Sequence, residues 1–494
     1  MLCYLLFLGL ASYAQERIVL DQQLRFSDEV AVYNELVILK LVAGSLSTSR
    51  LQRTLRDLYR KHPIFRTSLI FDAENSTLKQ YITDEYPTDD NAWTTDRIYQ
   101  NEDEMIKIIY QTAIDPHLFD VSSGRVFHCQ LLRQDSKKIT DGDLILFAFH
   151  HVAFDLLTSQ IFLNELCSMY NSDERWSETE QVFEYIDYSV HERTTDMTTA
   201  SQFWRSQLEG YNLEYGLSLP VDRYRSSMNE RSESASVVEI SFNHEISTAF
   251  LNYASSHQVT PFQLGLAIYY TFLFKLTHGQ NDLCVSCFDA NRHRTEVQQI
   301  IGMFVATFPC RLQMNSRWTF HELVKQIREK CSSIFEHSHY PLKNMLADSQ
   351  QNPSQVPFLE TVFDFITIPA SVDRLSFDGA TLAQMSLPSS CEVAKFDFLL
   401  RFVHNPRLND GKLSCRFICS ADLFDQTTVV TISRRFQYLF EQLILSTADM
   451  AESDSIENFS LILPEEKEEL QRTRFSRLID INEEGTCVLG LHHY

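Results

Sequence analysis

"LFAFHHVAFDLLTSQIF", residues 146–162, joins an apolar run to two adjacent histidines and sets an aspartate four residues after the second. Its front part extends back to "DLILFAFH" at 143–150, which reads as a strand by length and by Ile and Phe content. Beyond the aspartate, Leu157, Ile161, Phe162 and Leu166 recur at helical spacing, so His150, His151 and Asp155 fall where strand gives way to helix. Consecutive side chains on a strand point to opposite faces, so one histidine can face a cleft while the other is held in the body of the protein. A neutral imidazole suits proton transfer near pH 7, its unperturbed pKa being about 6.5. Asp155 arrives after a short turn, close enough to support the site or to pair with a buried cation. Taken alone the pattern is weak evidence, because a histidine on an apolar strand is most often a satisfied core residue.

Working outward, helix and strand signals alternate along the chain. In "LSTSRLQRTLRDLYRKHP" the positions Leu51, Leu55, Leu58 and Tyr59 share a helical face that Pro63 terminates, and "FRTSLIF" at 65–71 follows as a strand. "TPFQLGLAIYYTFLFKL" reads as a buried helix and "DLCVSCF" as a buried strand. "TFHELVKQIREKCSSIFEH" reads as a helix with Thr319 and Glu322 placed as a capping box. The polar stretches near 170–182 and 222–236 are the expected exposed connections. Two α/β lobes result, and the charged segment after residue 463 reads as a linker or an appended helix.

Composition narrows the function classes. The 494 residues carry a formal charge of -23, a field that repels phosphate backbones and anionic membrane surfaces, so neither nucleic acid nor membrane is an expected partner. No apolar run is long enough to span a bilayer. Eleven cysteines, an odd and scattered set, fit a reducing, cytoplasmic setting better than a disulfide scaffold. The single CxxC, Cys284 to Cys287, lies in a strand where residues three apart point to opposite faces, a poor zinc site. The opening "MLCYLLFLGLASYAQ" looks somewhat like a secretory signal over residues 1–14, but no Lys or Arg precedes Arg17. GxGxxG, GxxxxGK followed by Ser or Thr, GxSxG and HExxH motifs are all missing, and the dehydrogenase, P-loop and α/β-hydrolase readings drop out together.

The histidine stretch resembles the HHxxxDG signature of condensation domains from nonribosomal peptide synthetases, and further blocks resemble that family in the same order. "SYAQERIVL" at 12–20 is similar to SxAQxRLW, "RKHPIFRTSL" at 60–69 to RHExLRTxF, and "YIDYSVHE" at 185–192 to YxDYAxWQ. "NRHRTEVQQIIGMFVATFPCR" at 291–311 is similar to NRxxxxxxxxIGxFVNTxxxR, "HSHYPL" at 337–342 to HQDxPFE, and "AKFDFLL" with "ADLFD" to the final strands. The resemblance runs from about residue 11 to about 463.

It implies an α/β fold of two chloramphenicol acetyltransferase-like lobes, 11–180 and 181–463, forming a V-shaped pseudodimer around a central tunnel, with 464–494 a linker toward an absent adenylation domain. It also implies an acyltransferase that joins a carrier-bound acyl thioester to an amine, with substrates on the 4′-phosphopantetheine arms of carrier proteins. No metal or redox cofactor is expected. By position His151 is the catalytic histidine, His150 supports the strand end, and Asp155 is held in a salt bridge for which Arg66 is the expected partner. Gly302, Phe304, Ala306 and Thr307 are expected along the cleft. Two positions depart from the pattern: Leu156 stands where the family has glycine, and Ala306 where it has asparagine. The alternatives are a carrier-independent acyltransferase forming amides or esters, and a catalytically silent domain that docks carriers.

Overall fold

The computed structural model describes residues 5–83, 94–134, 139–173, 183–212, 216–225, 231–348, 357–368, 374–406, 412–445 and 455–473. Two six-stranded sheets organise them. The first runs in the order Arg374–Phe377, Ala380–Met385, Asn34–Gly44, Leu144–His150, Phe127–Arg133, Thr94–Ile98. Leu144–His150 lies between two antiparallel neighbours and all seven of its residues are buried, the burial that a continuous apolar run fits. The helix Leu156–Asn171 follows it and turns Ile161, Phe162 and Leu166 into the core.

The second sheet runs Ala306–Gln313, Asp282–Asp289, Thr361–Thr367, Phe398–Asn405, Lys412–Ser420, Ala235–Ser241. Its core is filled by the helix Pro261–Leu276, which is buried on nearly every side and starts with a Thr260–Gln263 capping box and a proline in the first turn. The helix Phe320–Glu336 begins with the Thr319–Glu322 capping box that the sequence announces. Cys284 and Cys287 of the Asp282–Asp289 strand fall in separate apolar clusters, as side chains on opposite faces must. A small third sheet pairs Leu5–Leu10 and Thr67–Asp72 with Thr77–Thr83. No helix among the described residues is long and apolar enough to cross a membrane.

The sheets do not follow a division of the chain at residue 180. The strands Arg374–Phe377 and Ala380–Met385 leave the second half and extend the first sheet along Asn34–Gly44. Gly44 and Gly379 both adopt positive φ at this crossing, and a Cβ on Gly44 would lie 2.1 Å from the Gly379 carbonyl oxygen. Ile300, Ile301, Met303 and Phe304 join the same core from the second half.

The expected exposed connection at 222–236 holds at 222–224, where Tyr224 is 90% exposed, but not at its buried arginines. Arg225 ion-pairs with Asp397 and Asp422, and Arg231, 1% exposed, pairs with Glu360 and Asp397. Glu360 in turn takes Arg25 at 2.6 Å from the helix Tyr13–Arg25, so buried charge links the two halves of the chain. Residues 226–230, most of 170–182 and the tail beyond 473 lie outside the described residues. The described part of the expected linker is a helix over 464–473.

Candidate active site

The end of the Leu144–His150 strand sets the two histidines in opposite tautomers. His150 Nε2 stands 3.1 Å from the amide oxygen Oε1 of Gln22 and donates to it, while Nδ1 accepts the Val152 N–H at 3.3 Å. His151 begins the turn 151–153, its N–H donating to the Tyr33 carbonyl at 2.9 Å. Its Nδ1 is 2.6 Å from the Phe154 carbonyl oxygen, which can only accept, so that nitrogen carries the proton and Nε2 keeps its lone pair. The Phe154 ring stacks on Phe149 at 3.7 Å and fixes the carbonyl that orients the imidazole.

His151 is 20% exposed and lines a cavity of about 370 Å³ to which both halves of the chain contribute, with Tyr33 and Leu156 on one side and Met303, Lys395 and Arg401 on the other. Burial lowers its pKa, partly opposed by Glu35, so the ring is neutral at pH 7. Glu35 Oε1 lies 3.7 Å from His151 Nε2 and 2.5 Å from Lys395 Nζ. Burial alone would raise the Glu35 carboxyl, but Lys395 and His151 outweigh it and hold the group at about 2.

Asp155 does not pair with Arg66. Arg66 sits in the turn Pro63–Arg66, where its guanidinium donates to the Thr83 and Arg60 carbonyls at 3.2 and 3.4 Å. The partner is Arg292, whose Nη2 lies 3.2 Å from each Asp155 oxygen. Asp155 Oδ1 also caps the helix Leu156–Asn171 through the Thr158 N–H at 2.7 Å, and Oδ2 accepts the Phe304 N–H at 3.0 Å. Arg292 also donates to Thr158 Oγ1, Gly302 O, Val297 O and Ile300 O, with its face 4.0 Å over the Phe304 ring. One carboxylate thus ties the turn after the histidines to a loop 137 residues further along. The signal for Arg292 was present in the sequence, inside the "NRHRTEV" block, but nothing local to Asp155 pointed there.

The remaining cleft positions separate into three groups. Leu156 is the first residue of its helix, adopts ordinary helical geometry and is 51% exposed on the His151 cavity, so no glycine is required by the backbone at this turn. Phe304, Ala306 and Thr307 line a second cavity of about 140 Å³, which adjoins the first through Arg17 and Val305. Gly302 lines neither cavity. It is buried against Tyr185, whose Cδ2 would lie 2.1 Å from an added Cβ, so its smallness serves packing.

The pH dependence of stability follows from His150. Burial, with His151 adding to it, holds its pKa down to about 3. The unfolded histidine titrates near 6.5, so between about 6.5 and 3 the unfolded chain binds a proton that the folded one refuses. The stability that this neutral ring contributes is present above about 6.5 and is lost as pH falls toward 3. The melting temperature is expected to fall across that window, and His150→Gln, which cannot titrate, to flatten the fall. Thermal melts at stepped pH check this, and an unaltered slope in the variant contradicts it.

The chain is 27% identical over 432 residues to tyrocidine synthase 2 of Brevibacillus parabrevis, covering 86% of this chain and 11% of that protein. It thus spans only a small part of the length of the curated relatives it matches. Among solved structures it is similar to holo-AB3403, a four-domain nonribosomal peptide synthetase bound to AMP and glycine, with a TM-score of 0.78 and 16% identity over 94% of this chain and 34% of that one. It is similar also to the X-domain from teicoplanin biosynthesis, with a TM-score of 0.77 and 20% identity over 92% and 97% of the two chains. The fold is the two-lobed, chloramphenicol acetyltransferase-like fold of condensation domains. The family model described as Condensation domain matches residues 10–471, which takes in the histidine turn, the Asp155–Arg292 pair and both sheets, and the chain belongs to that family.

Proposed function

We propose that this domain forms an amide bond in nonribosomal peptide synthesis, between an acyl thioester donor and an amine acceptor carried on the 4′-phosphopantetheine arms of carrier protein domains. The observation that carries this reading is the state of His151: a neutral ring, its Nδ1–H committed to Phe154, with Nε2 the nitrogen left to the cavity. In this reading the cavity lined by His151 and the second cavity, which share Arg17 and Val305 in their walls, take the two tethered groups.

In this reading Nε2 orients the acceptor amine and accepts its proton as the amine attacks the thioester carbonyl. The N–C bond forms, the C–S bond breaks, and the departing thiolate recovers a proton from the imidazolium. An α-amino group has a pKa near 8 and is partly neutral already, so positioning and charge stabilisation at the tetrahedral stage carry much of the acceleration. His150 and Asp155 act behind the ring, holding the strand end and the turn. Thioester aminolysis requires neither a metal nor a redox cofactor. Adenylation domains in a larger synthetase would supply the loaded carriers.

Incubation with an acyl-loaded and an aminoacyl-loaded carrier is expected to give the N-acylated aminoacyl carrier, read by intact mass. Equal turnover of free amines or alcohols without carriers would favour a carrier-independent acyltransferase. Carrier binding with no product would leave a docking role.

A further inference from the structure

We propose that Glu35 is a second catalytic residue, which receives the ammonium form of the acceptor in the gap between its carboxylate and His151 Nε2 and thereby selects amine over hydroxyl nucleophiles. The inference rests on the amide-forming reading above and deepens it. Its basis is the spacing: 3.7 Å between Glu35 Oε1 and His151 Nε2 is too long for a hydrogen bond, yet a nitrogen lodged at the mouth of that gap reaches both atoms at ordinary hydrogen-bond lengths. Glu35 is 34% exposed and lines the same cavity as His151. Its Oε1 takes Lys395 at 2.5 Å, and its Oε2 has no hydrogen-bond partner among the described residues.

The charged groups that act on His151 are Glu35, Lys395 and Arg17, with His150 directly behind it on the chain. Among these Glu35 is the single anion, and Lys395 keeps it ionised. An ammonium entering a cleft between two sheets loses water and needs a fixed negative partner, whereas a neutral alcohol does not. Bound there, the ammonium releases one proton to solvent. The freed amine attacks the thioester carbon as Nε2 takes its second proton, and the carboxylate stabilises the imidazolium that results. The N–C bond forms, the C–S bond breaks, and the thiolate takes the proton held by His151. Charge and atoms balance: an ammonium and a thioester become an amide, a thiol and one proton. An alcohol acceptor draws on His151 alone.

The test compares L-alanyl-pantetheine with the isosteric L-lactyl-pantetheine as acceptors, with octanoyl-pantetheine as donor, in the wild type, in Glu35→Gln and in Glu35→Gln/Lys395→Gln. Amide formation by Glu35→Gln is expected to fall about 10- to 100-fold, the worth of a hydrogen bond to a charged group, while ester formation changes less than about threefold. The acid limb of the amide rate–pH profile moves to lower pH, because the imidazolium has lost its anion. The double variant, which lacks the orphaned lysine charge, stays defective in amide formation. Equal loss of amide and ester, recovery of amide formation in the double variant, or an unchanged amide-to-ester ratio overturns the role of Glu35. A wild type that forms no amide with these acceptors, nor with octanoyl- and alanyl-loaded carriers, overturns the amide-forming reading itself.

Discussion

His151→Ala is expected to retain the fold and to lose amide formation by about 10²- to 10⁴-fold, the range over which a positioned general base contributes. The fold should survive because the turn is held by backbone: the His151 N–H on the Tyr33 carbonyl and the Phe154 N–H on the His151 carbonyl at 3.4 Å both remain without the ring. The ring is 20% exposed on a cavity wall, so its removal enlarges an existing space and opens no sealed void. Residual turnover would report what proximity of the two tethers and the remaining Glu35 supply together. Steady-state rates alongside thermal melts decide the matter. A His151→Ala protein as fast as wild type, in an assay where wild type turns over, removes this imidazole from the mechanism.

Asp155→Ala should act in the opposite way, through folding. The carboxylate and guanidinium are 2% and 4% exposed, so deleting one leaves the other as an uncompensated buried charge, a loss of about 3–5 kcal/mol. The Thr158 and Phe304 N–H groups lose their acceptor as well, and the helix Leu156–Asn171 loses its cap. Asp155→Leu combined with Arg292→Met removes both charges and is expected to cost less than either single truncation, since no charge is stranded. Urea and thermal melts measure the difference. A soluble Asp155→Ala protein that melts normally yet fails to turn over would instead place the carboxylate in the chemistry.

The elements that were legible in the sequence are those written in local periodicity. The strand ending at His150, the helix from Leu156 and the capping box at Thr319 announce themselves within a few residues. Arg66 was the nearest plausible cation in a quoted motif, but charge pairs in a buried turn are chosen by tertiary approach, and Arg292 arrives on the loop that follows a strand of the other sheet. The buried arginines at 225 and 231 show the same limit, since a polar run reads as exposed until its partners Asp397, Glu360 and Asp422 are placed. Glu35 left a faint trace as an acidic residue near the start of the otherwise apolar "NELVILKLVAG", although only the folded wall shows that it faces His151. The shared sheet was invisible because a strand's partner across hundreds of residues has no local signature.

That shared sheet governs what a ribosome has in hand while it makes this chain. When Asn34–Gly44 and Leu144–His150 have emerged and paired, the far side of Asn34–Gly44 still offers a row of bare amide and carbonyl groups. Its mate, Ala380–Met385, is not yet translated, and at ordinary elongation speeds the wait between the two strands lasts roughly 20–70 s. During nascent synthesis the histidine-bearing half is therefore an unfinished, adhesive intermediate, whose last strand begins 230 residues after His150.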